Sequence, residues 1–349
     1  MAIVNHIYVG KGDGIYMETI RALEKTVFPV LPHTIAALLR GVSPALLAQA
    51  TEIRLRVNQP LLLGLGATDV MLTPAGQPTG RREQAYCCCY DDLIKTLQLI
   101  SKNSLYAFEQ ELKLGFITIA GGHRVGLAGQ VIVHDGTVKA LKNATAMNIR
   151  LAREVKGCAD PLMPYLIGPD GCVYSTLLIS PPRCGKTTLL RDIIRQLSSG
   201  VRQLNFPGVQ VGLVDERSEI AACVSGVPSM DLGPRVDVLD GCPKASGLLM
   251  LLRSMAPQVM VTDELGRGED AAAIQEALHA GVAVVATVHG RDIAGISQRP
   301  YVGELIKNGW FDRYVILSDT PTVGTIEQVI AVADGRTLYR RSKEVRVCG

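Results

Sequence analysis

The chain of 349 residues has no run of about 18 consecutive apolar residues, the length a membrane-spanning helix needs. Its nearest approach, "GLLMLLRSM", is cut by Arg253. The opening "MAIVNHIYVGKGDGIYMETI" lacks the apolar core of a secretory signal, so a protein made and kept in the cytoplasm is expected, touching a membrane only through a partner. Aromatic residues are scarce at 5%, and charge nearly cancels, with 36 Lys plus Arg against 33 Asp plus Glu for a net of +3. Without a basic stripe interleaved with aromatics, no nucleic acid is expected as a partner. The nine cysteines include no C-x-x-C pair and no metal-like Cys/His spacing, which argues against zinc or dithiol redox chemistry and for reduced, mostly buried thiols. The run Cys87, Cys88, Cys89 has no physical account at this level.

What the chain has instead is a change of rhythm near its middle. Residues 1–27 read as a weakly ordered leader, in which Met17 is an alternative start to Met1. "LPHTIAALLRGVSPALLAQA" repeats its apolar residues at helical spacing, and "TEIRLRVNQPLLLGL" alternates so that Ile53, Leu55 and Val57 face one way, as in a half-buried strand. A Gly/Pro turn at "TPAGQPTG" leads to a helical stretch over 91–114 and to strands joined by glycine turns in "GFITIAGGHRVGLAGQVIVHDGTVKAL". These features predict a smaller α+β domain over 28–150 and a linker over 151–172. From 173 to 340 the runs "VYSTLLIS", "VQVGLVDE", "QVMVTDE" and "VAVVATVH" alternate with helical patterns. Strands apolar on both faces belong to a mostly parallel sheet flanked by helices, an α/β fold. "RYVILSD" and "GTIEQVIAVADGRTLYRR" add a strand and a hairpin, and 341–349 is a basic tail.

The first of these strands runs into "LLISPPRCGKTTLLRD", residues 177–192. Its Gly185, Lys186, Thr187 and Thr188 are the end of a phosphate-binding loop, G-x-x-x-x-G-K-[ST], with Ser180 at the place of the first glycine. Such a loop wraps backbone N–H groups around a phosphate at a helix N-terminus, where the helix dipole favours negative charge. The amides from about Arg183 through Cys184 to Thr188 are the expected donors. Pro181 and Pro182 have no N–H, but they precede the cradle. Lys186 is expected on the β- and γ-phosphates of ATP, Thr187 on Mg2+, and Gly185 where the backbone must approach closely. Serine is small enough for position 180, which shapes the exit from the strand. Arg183 is bulky, so an ordinary backbone angle is expected there, with the side chain toward solvent.

Hydrolysis needs further groups, and three strand ends supply them. "QVMVTDELG" ends a buried strand with Asp263, placed to hold magnesium through water, and Glu264, placed to orient or deprotonate the attacking water. "VGLVDERSEI" carries Asp215, Glu216, Arg217 and Glu219, and "VAVVATVHG" ends with Thr287 and His289. Groups at these tips can sense the γ-phosphate and stabilise its charge; the alternative for each is an ordinary surface ion network or a satisfied histidine. Arg217, Arg235 and Arg253 are candidates for a charge-stabilising arginine supplied within the chain or by a neighbour, although each alone reads as a surface residue. Arg124, on the glycine-rich "GGHRVGLAGQ", has no phosphate signature of its own, and a structural role is expected.

Taken with "EIRLRVNQPL", "SLYAFEQELKLGFITIAGGHRVGLAGQ", "NIRLAREVKG" and "LDGCPKASGLLMLLRSMAPQVMVTDELG", these segments resemble the stage III sporulation protein AA family over residues 28–340. That family is a member of the secretion or traffic group of P-loop ATPases. The resemblance implies a RecA-like core of the AAA ATPase kind behind an N-terminal domain, ATP and Mg2+ as cofactors, and a homohexameric ring. It also implies work in the mother-cell cytoplasm during endospore formation, docked on membrane-embedded channel components that join mother cell and forespore. On that analogy "VDERSE" sits at the acidic box of traffic ATPases and "TVHG" at their histidine box. Ser180 and Arg183 depart from the loop pattern and bear on the rate of hydrolysis. An ATP-driven motor is the leading expectation, a nucleotide-gated scaffold with little turnover the alternative, and a DNA-acting ATPase the one that the charge balance disfavours.

Overall fold

The computed structural model describes residues 12–66, 68–101, 116–134, 137–152 and 154–342, and the chain divides into two compact units, 1–153 and 154–349.

In the first unit the strands are β1 Glu52–Arg56, β2 Leu62–Gly64, β3 Asp69–Leu72, β4 Pro78–Thr79, β5 Phe116–Ile119, β6 His123–His134 and β7 Thr137–Arg150. They form one antiparallel sheet in the order β4-β3-β2-β1-β7-β6-β5. The alternation expected of β1 is present, with Ile53 and Leu55 in the core and Glu52, Arg54 and Arg56 between them less buried. The segment expected as a weakly ordered leader instead carries a helix, α1, over Gly12–Thr26. Leu23, Val27 and Phe28 are buried with Ile35, Leu39 and Ile53, so this segment has an apolar face to dock, which a purely local reading undervalues. The single helix expected next is two, α2 His33–Arg40 and α3 Pro44–Gln49, because Pro44 has no N–H and fits only a first helical turn. Helix α4 spans Tyr90–Ser101, and the rest of the stretch expected to be helical lies outside the described residues.

The second unit begins earlier than expected. Residues 154–172 are packed within it and do not act as a linker: Ala159, Leu162, Met163 and Leu166 are buried, the last two on the short helix α5, Met163–Leu166. The strands that follow are β8 Thr176–Ser180, β9 Val211–Asp215, β10 Val236–Asp240, β11 Val259–Thr262, β12 Ala283–His289, β13 Arg313–Ser318, β14 Thr325–Ala331 and β15 Thr337–Arg340. They make one sheet in the order β10-β9-β11-β12-β8-β13-β14-β15, parallel as far as β13 and antiparallel beyond it. Strands β8, β9 and β11 are buried at every position, which is why their sequences are apolar except at their ends, where Thr176, Ser180, Asp215 and Thr262 stand. Strand β10 lies at the sheet edge with every position half-buried, and its acids Asp237 and Asp240 hid it from a search for apolar runs. The helices are α6 Lys186–Ser199, α7 Lys244–Ser254, α8 Gly268–His279, α9 Ile293–Ser297 and α10 Val302–Lys307.

Parallel pairing brings the carboxyl ends of these strands to one edge of the sheet. His289 is in register with Ser180, and Thr262 with both Val214 and Ala286. The tips of β9, β11, β12 and β8 therefore stand side by side, where open α/β sheets bind their ligands.

Candidate functional site

The loop between β8 and α6 reverses the chain in a short turn built on two left-handed residues. Gly185, which caps α6, has φ +78°, and a Cβ there would meet Val323 Cγ1 at 3.0 Å, so both angle and space call for glycine. Arg183 has φ +64°, which corrects the expectation of an ordinary angle at this bulky residue. Left-handed residues within such a turn can aim successive amides to one side, the geometry of anion-binding nests, and that need competes with the local preference of a bulky residue. The left-handed angle costs a non-glycine residue about 1 kcal/mol. Arg183→Gly is therefore expected to stabilise the second unit by up to about 1 kcal/mol, read as a raised Tm, whereas Arg183→Ala should give no such gain.

Lys186, the first residue of α6, is 8% exposed. Its three ammonium protons are shared among four acceptors, the Ser180 carbonyl (3.3 Å), the Ser180 hydroxyl (3.2 Å), the Pro181 carbonyl (3.1 Å) and His289 Nδ1 (2.9 Å). Burial lowers its pKa below the ordinary lysine value. The Ser180 hydroxyl donates in turn to the Pro181 carbonyl (2.8 Å). Serine at this place gives the ammonium an acceptor that the usual glycine lacks.

An ammonium only donates, so His289 Nδ1 carries no proton and the ring proton sits on Nε2. That nitrogen faces Glu264 Oε1 at 3.4 Å, and Glu264 Oε2 lies 3.1 Å from Arg217 Nη1. Lys186, His289, Glu264 and Arg217 thus form one chain of contacts across the tips of β8, β12, β11 and β9. Glu264 is held there by its neighbour strand: its amide donates to Thr287 Oγ1 (2.9 Å) and the Leu265 amide to the Thr287 carbonyl (2.8 Å). The turn leaves Glu264 at φ +24°, a strained angle of the kind stored at functional sites.

The acids divide by what they touch. Asp215, fully buried, accepts the amides of Glu219 (2.9 Å), Ile220 (2.9 Å) and Ala221 (2.8 Å), so it organises its own loop and does not face a ligand. Burial nonetheless raises its pKa, with those amides opposing. Arg191 of α6 clamps the same loop by donating to the carbonyls of Ile220 (2.7 Å) and Glu219 (2.8 Å). Glu216 and Asp263 both meet the ammonium of Lys244, the first residue of α7. Burial raises the Asp263 pKa, and Lys244 opposes it. Asp263 Oδ1 is buried and accepts no hydrogen bond; Lys244 lies 3.3 Å away as an ion-pair partner only.

Asp263 after β11 and the Thr187 hydroxyl at the start of α6 offer oxygen donors of the kind a hard cation such as Mg2+ prefers. No group of three or more His, Cys, Asp or Glu able to hold a metal occurs among the described residues. A cation here would therefore take most of its ligands from water and phosphate, as Mg2+ does.

Other residues singled out in the sequence lie off this chain of contacts. Arg253 is an exposed residue of α7, paired with Glu276 of α8 at 3.5 Å, and it lies nine positions, about 14 Å of helix, beyond Lys244. Arg235 donates to the Ser198 carbonyl (2.6 Å). Arg124, in the first unit, is in register with Arg150 and lies 5.1 Å over the Phe116 ring. The described cysteines are free thiols; Cys88 is buried and its pKa is pushed up to about 12, whereas Cys87 and Cys89 are exposed. Lys244 and Arg191 escaped sequence reasoning because nothing in "CPKASG" or "TTLLRD" marks a buried cation.

Comparison with known proteins agrees with this fold. The chain is similar to the stage III sporulation protein AA of Bacillus subtilis (strain 168), 44% identical over 91% of this chain and 98% of that protein. The solved structure of the ATPase DotB of Yersinia pseudotuberculosis superposes with a TM-score of 0.54 at 14% identity, covering 88% of this chain and 79% of that one. DotB of Legionella pneumophila gives 0.51 at 16% identity, covering 87% and 78%. At these identities the DotB structures speak for the fold alone: a RecA-like P-loop core preceded by a smaller α+β domain. No helix among the described residues is long and apolar enough to cross a membrane. The family model for sporulation stage III, protein AA, matches residues 23–337, and the chain belongs to that family.

Proposed function

We propose that the second unit binds Mg-ATP and hydrolyses it, and that the protein is a traffic-type ATPase energising or gating a channel complex between mother cell and forespore. The observation that carries this reading is the unbroken chain Lys186–His289–Glu264–Arg217 beside a glycine-containing loop with left-handed Arg183 and Gly185 at the start of α6. Amides of the 183–188 turn would hold the β-phosphate, and Lys186 would turn from Ser180 and Pro181 to the β- and γ-phosphates. Bound Mg2+, held by Thr187 and through water by Asp263, would neutralise charge on the phosphates. Glu264 accepts the proton of the attacking water, and His289, fixed as the Nε2–H tautomer, links that carboxylate to Lys186. Arg217 adds positive charge on the other side of Glu264, and Glu216 holds the neighbouring loop in place. Arg253, off this chain of contacts and exposed, would serve a neighbouring subunit's nucleotide in a ring.

The same reading places the protein in the mother-cell cytoplasm as a homohexamer, docked on membrane-embedded sporulation components; the family membership supports this. The test is phosphate release by the purified protein with ATP and Mg2+. Wild type should release phosphate only when Mg2+ is present, and Lys186→Ala should abolish both release and binding of a fluorescent ATP analogue. Release at equal rates from wild type and Lys186→Ala would sink the ATPase reading.

A further inference from the structure

Lys244 is a lysine only 5% exposed, so its charge must be paired. Its ammonium bonds Glu216 Oε2, on the loop after β9, and lies 3.3 Å from Asp263 Oδ1, after β11. These strands are neighbours with Val214 opposite Thr262, so Asp215, Glu216 and Asp263 emerge together. Asp215 is occupied by three loop amides, which leaves Glu216 and Asp263 to face one point from two strands. Two carboxylates converging on one point, one of them nine-tenths buried, are oxygen donors that a divalent cation could share with water if the lysine were absent. In this protein a lysine stands at that point.

We infer that Lys244 is a resident counter-ion that keeps a divalent cation from lodging between Glu216 and Asp263, so that the metal enters only with nucleotide phosphates. Its ammonium neutralises the pair and ties the 216–221 loop, which Asp215 and Arg191 brace from within, to the tip of β11. The inference rests on the reading of Asp263 as the magnesium-associated acid. It gives Lys244 a role beyond stability, because a salt bridge that merely joined two elements would, on removal, loosen the fold without creating affinity for a metal.

The experiment is Mn2+ binding to the full-length, nucleotide-free protein, followed by electron paramagnetic resonance. Wild type and Lys244→Arg should bind Mn2+ weakly. Lys244→Met and the size-matched Lys244→Gln, with folding checked by thermal melts, should bind it about tenfold more tightly or better, as expected when a like charge is removed beside two carboxylates. Adding Glu216→Gln to Lys244→Met should erase the gain. The proposal is overturned if the two neutral variants bind Mn2+ no more tightly than wild type, or if the gain survives loss of Glu216. Since no nucleotide is present, a wild type that failed to bind ATP would refute the ATPase reading and leave this comparison intact.

Discussion

Glu264→Gln should lower kcat for ATP hydrolysis by about 100- to 10,000-fold, the range associated with loss of a positioned general base, while nucleotide affinity stays nearly unchanged. The split follows from what Glu264 touches. Its two oxygens meet His289 and Arg217, not the loop amides that would hold the phosphates, and its backbone position is set by Thr287 on the next strand. Glutamine fills the same volume and keeps the backbone turn, so the cradle and Lys186 should be undisturbed. What is lost is the negative charge that accepts a proton from water. Steady-state phosphate release together with titration of a fluorescent ATP analogue checks both halves. Release equal to wild type would remove Glu264 from the chemistry; loss of binding would mean that the carboxylate acts through the fold of the cradle.

The parts of this site that the sequence reveals are those whose chemistry is written locally. "TLLIS", "VGLVD" and "VMVT" are buried on both faces, so their inner positions are apolar and polar residues stand only at their ends, and the residue at which each run stops lies at the carboxyl edge of the sheet. Asp263, Glu264 and His289 could be read for that reason, and Lys186 from its loop motif. The parts that could not be read depend on register between strands far apart in the chain. Nothing near Asp215 separates it from Glu216, yet one side chain turns back into its loop while the other meets Lys244, 28 positions on. Arg183 shows a different limit: residue size argued for an ordinary angle, but the tight turn between β8 and α6 holds it at a left-handed one. The first unit repeats the lesson in α1, whose apolar residues look sparse although Leu23 belongs to the buried core and Ile20 packs against it.

A second large effect is expected in the first unit, in its response to acid. His123 lies two residues after Gly121, which is at φ +79°, where a Cβ would lie 2.8 Å from His123 Nε2 and 2.9 Å from Thr26 Cγ2. The ring is therefore packed closely against the end of α1. The Thr26 hydroxyl spends its proton on the Ala22 carbonyl (2.7 Å), so His123 Nε2 must be the donor in their 2.8 Å contact. Nδ1 accepts the Ala152 amide (3.0 Å) and has no room for a proton of its own. Burial accordingly depresses the His123 pKa from 6.5 to about 4. Its contribution to stability is fully present above pH 6.5, where both folded and unfolded histidine are neutral. Below 6.5 the unfolded chain gains a proton that the folded chain refuses, so stability falls as pH drops toward 4, by roughly 3 kcal/mol in all. Urea melts of the full-length protein between pH 7.5 and 4, with hydrogen exchange followed in α1 and β6, should show this loss in the first unit. His123→Gln, neutral throughout, should be less stable at pH 7.5 but should lack that component of the pH slope. An unchanged slope in His123→Gln would assign the acid sensitivity to other groups.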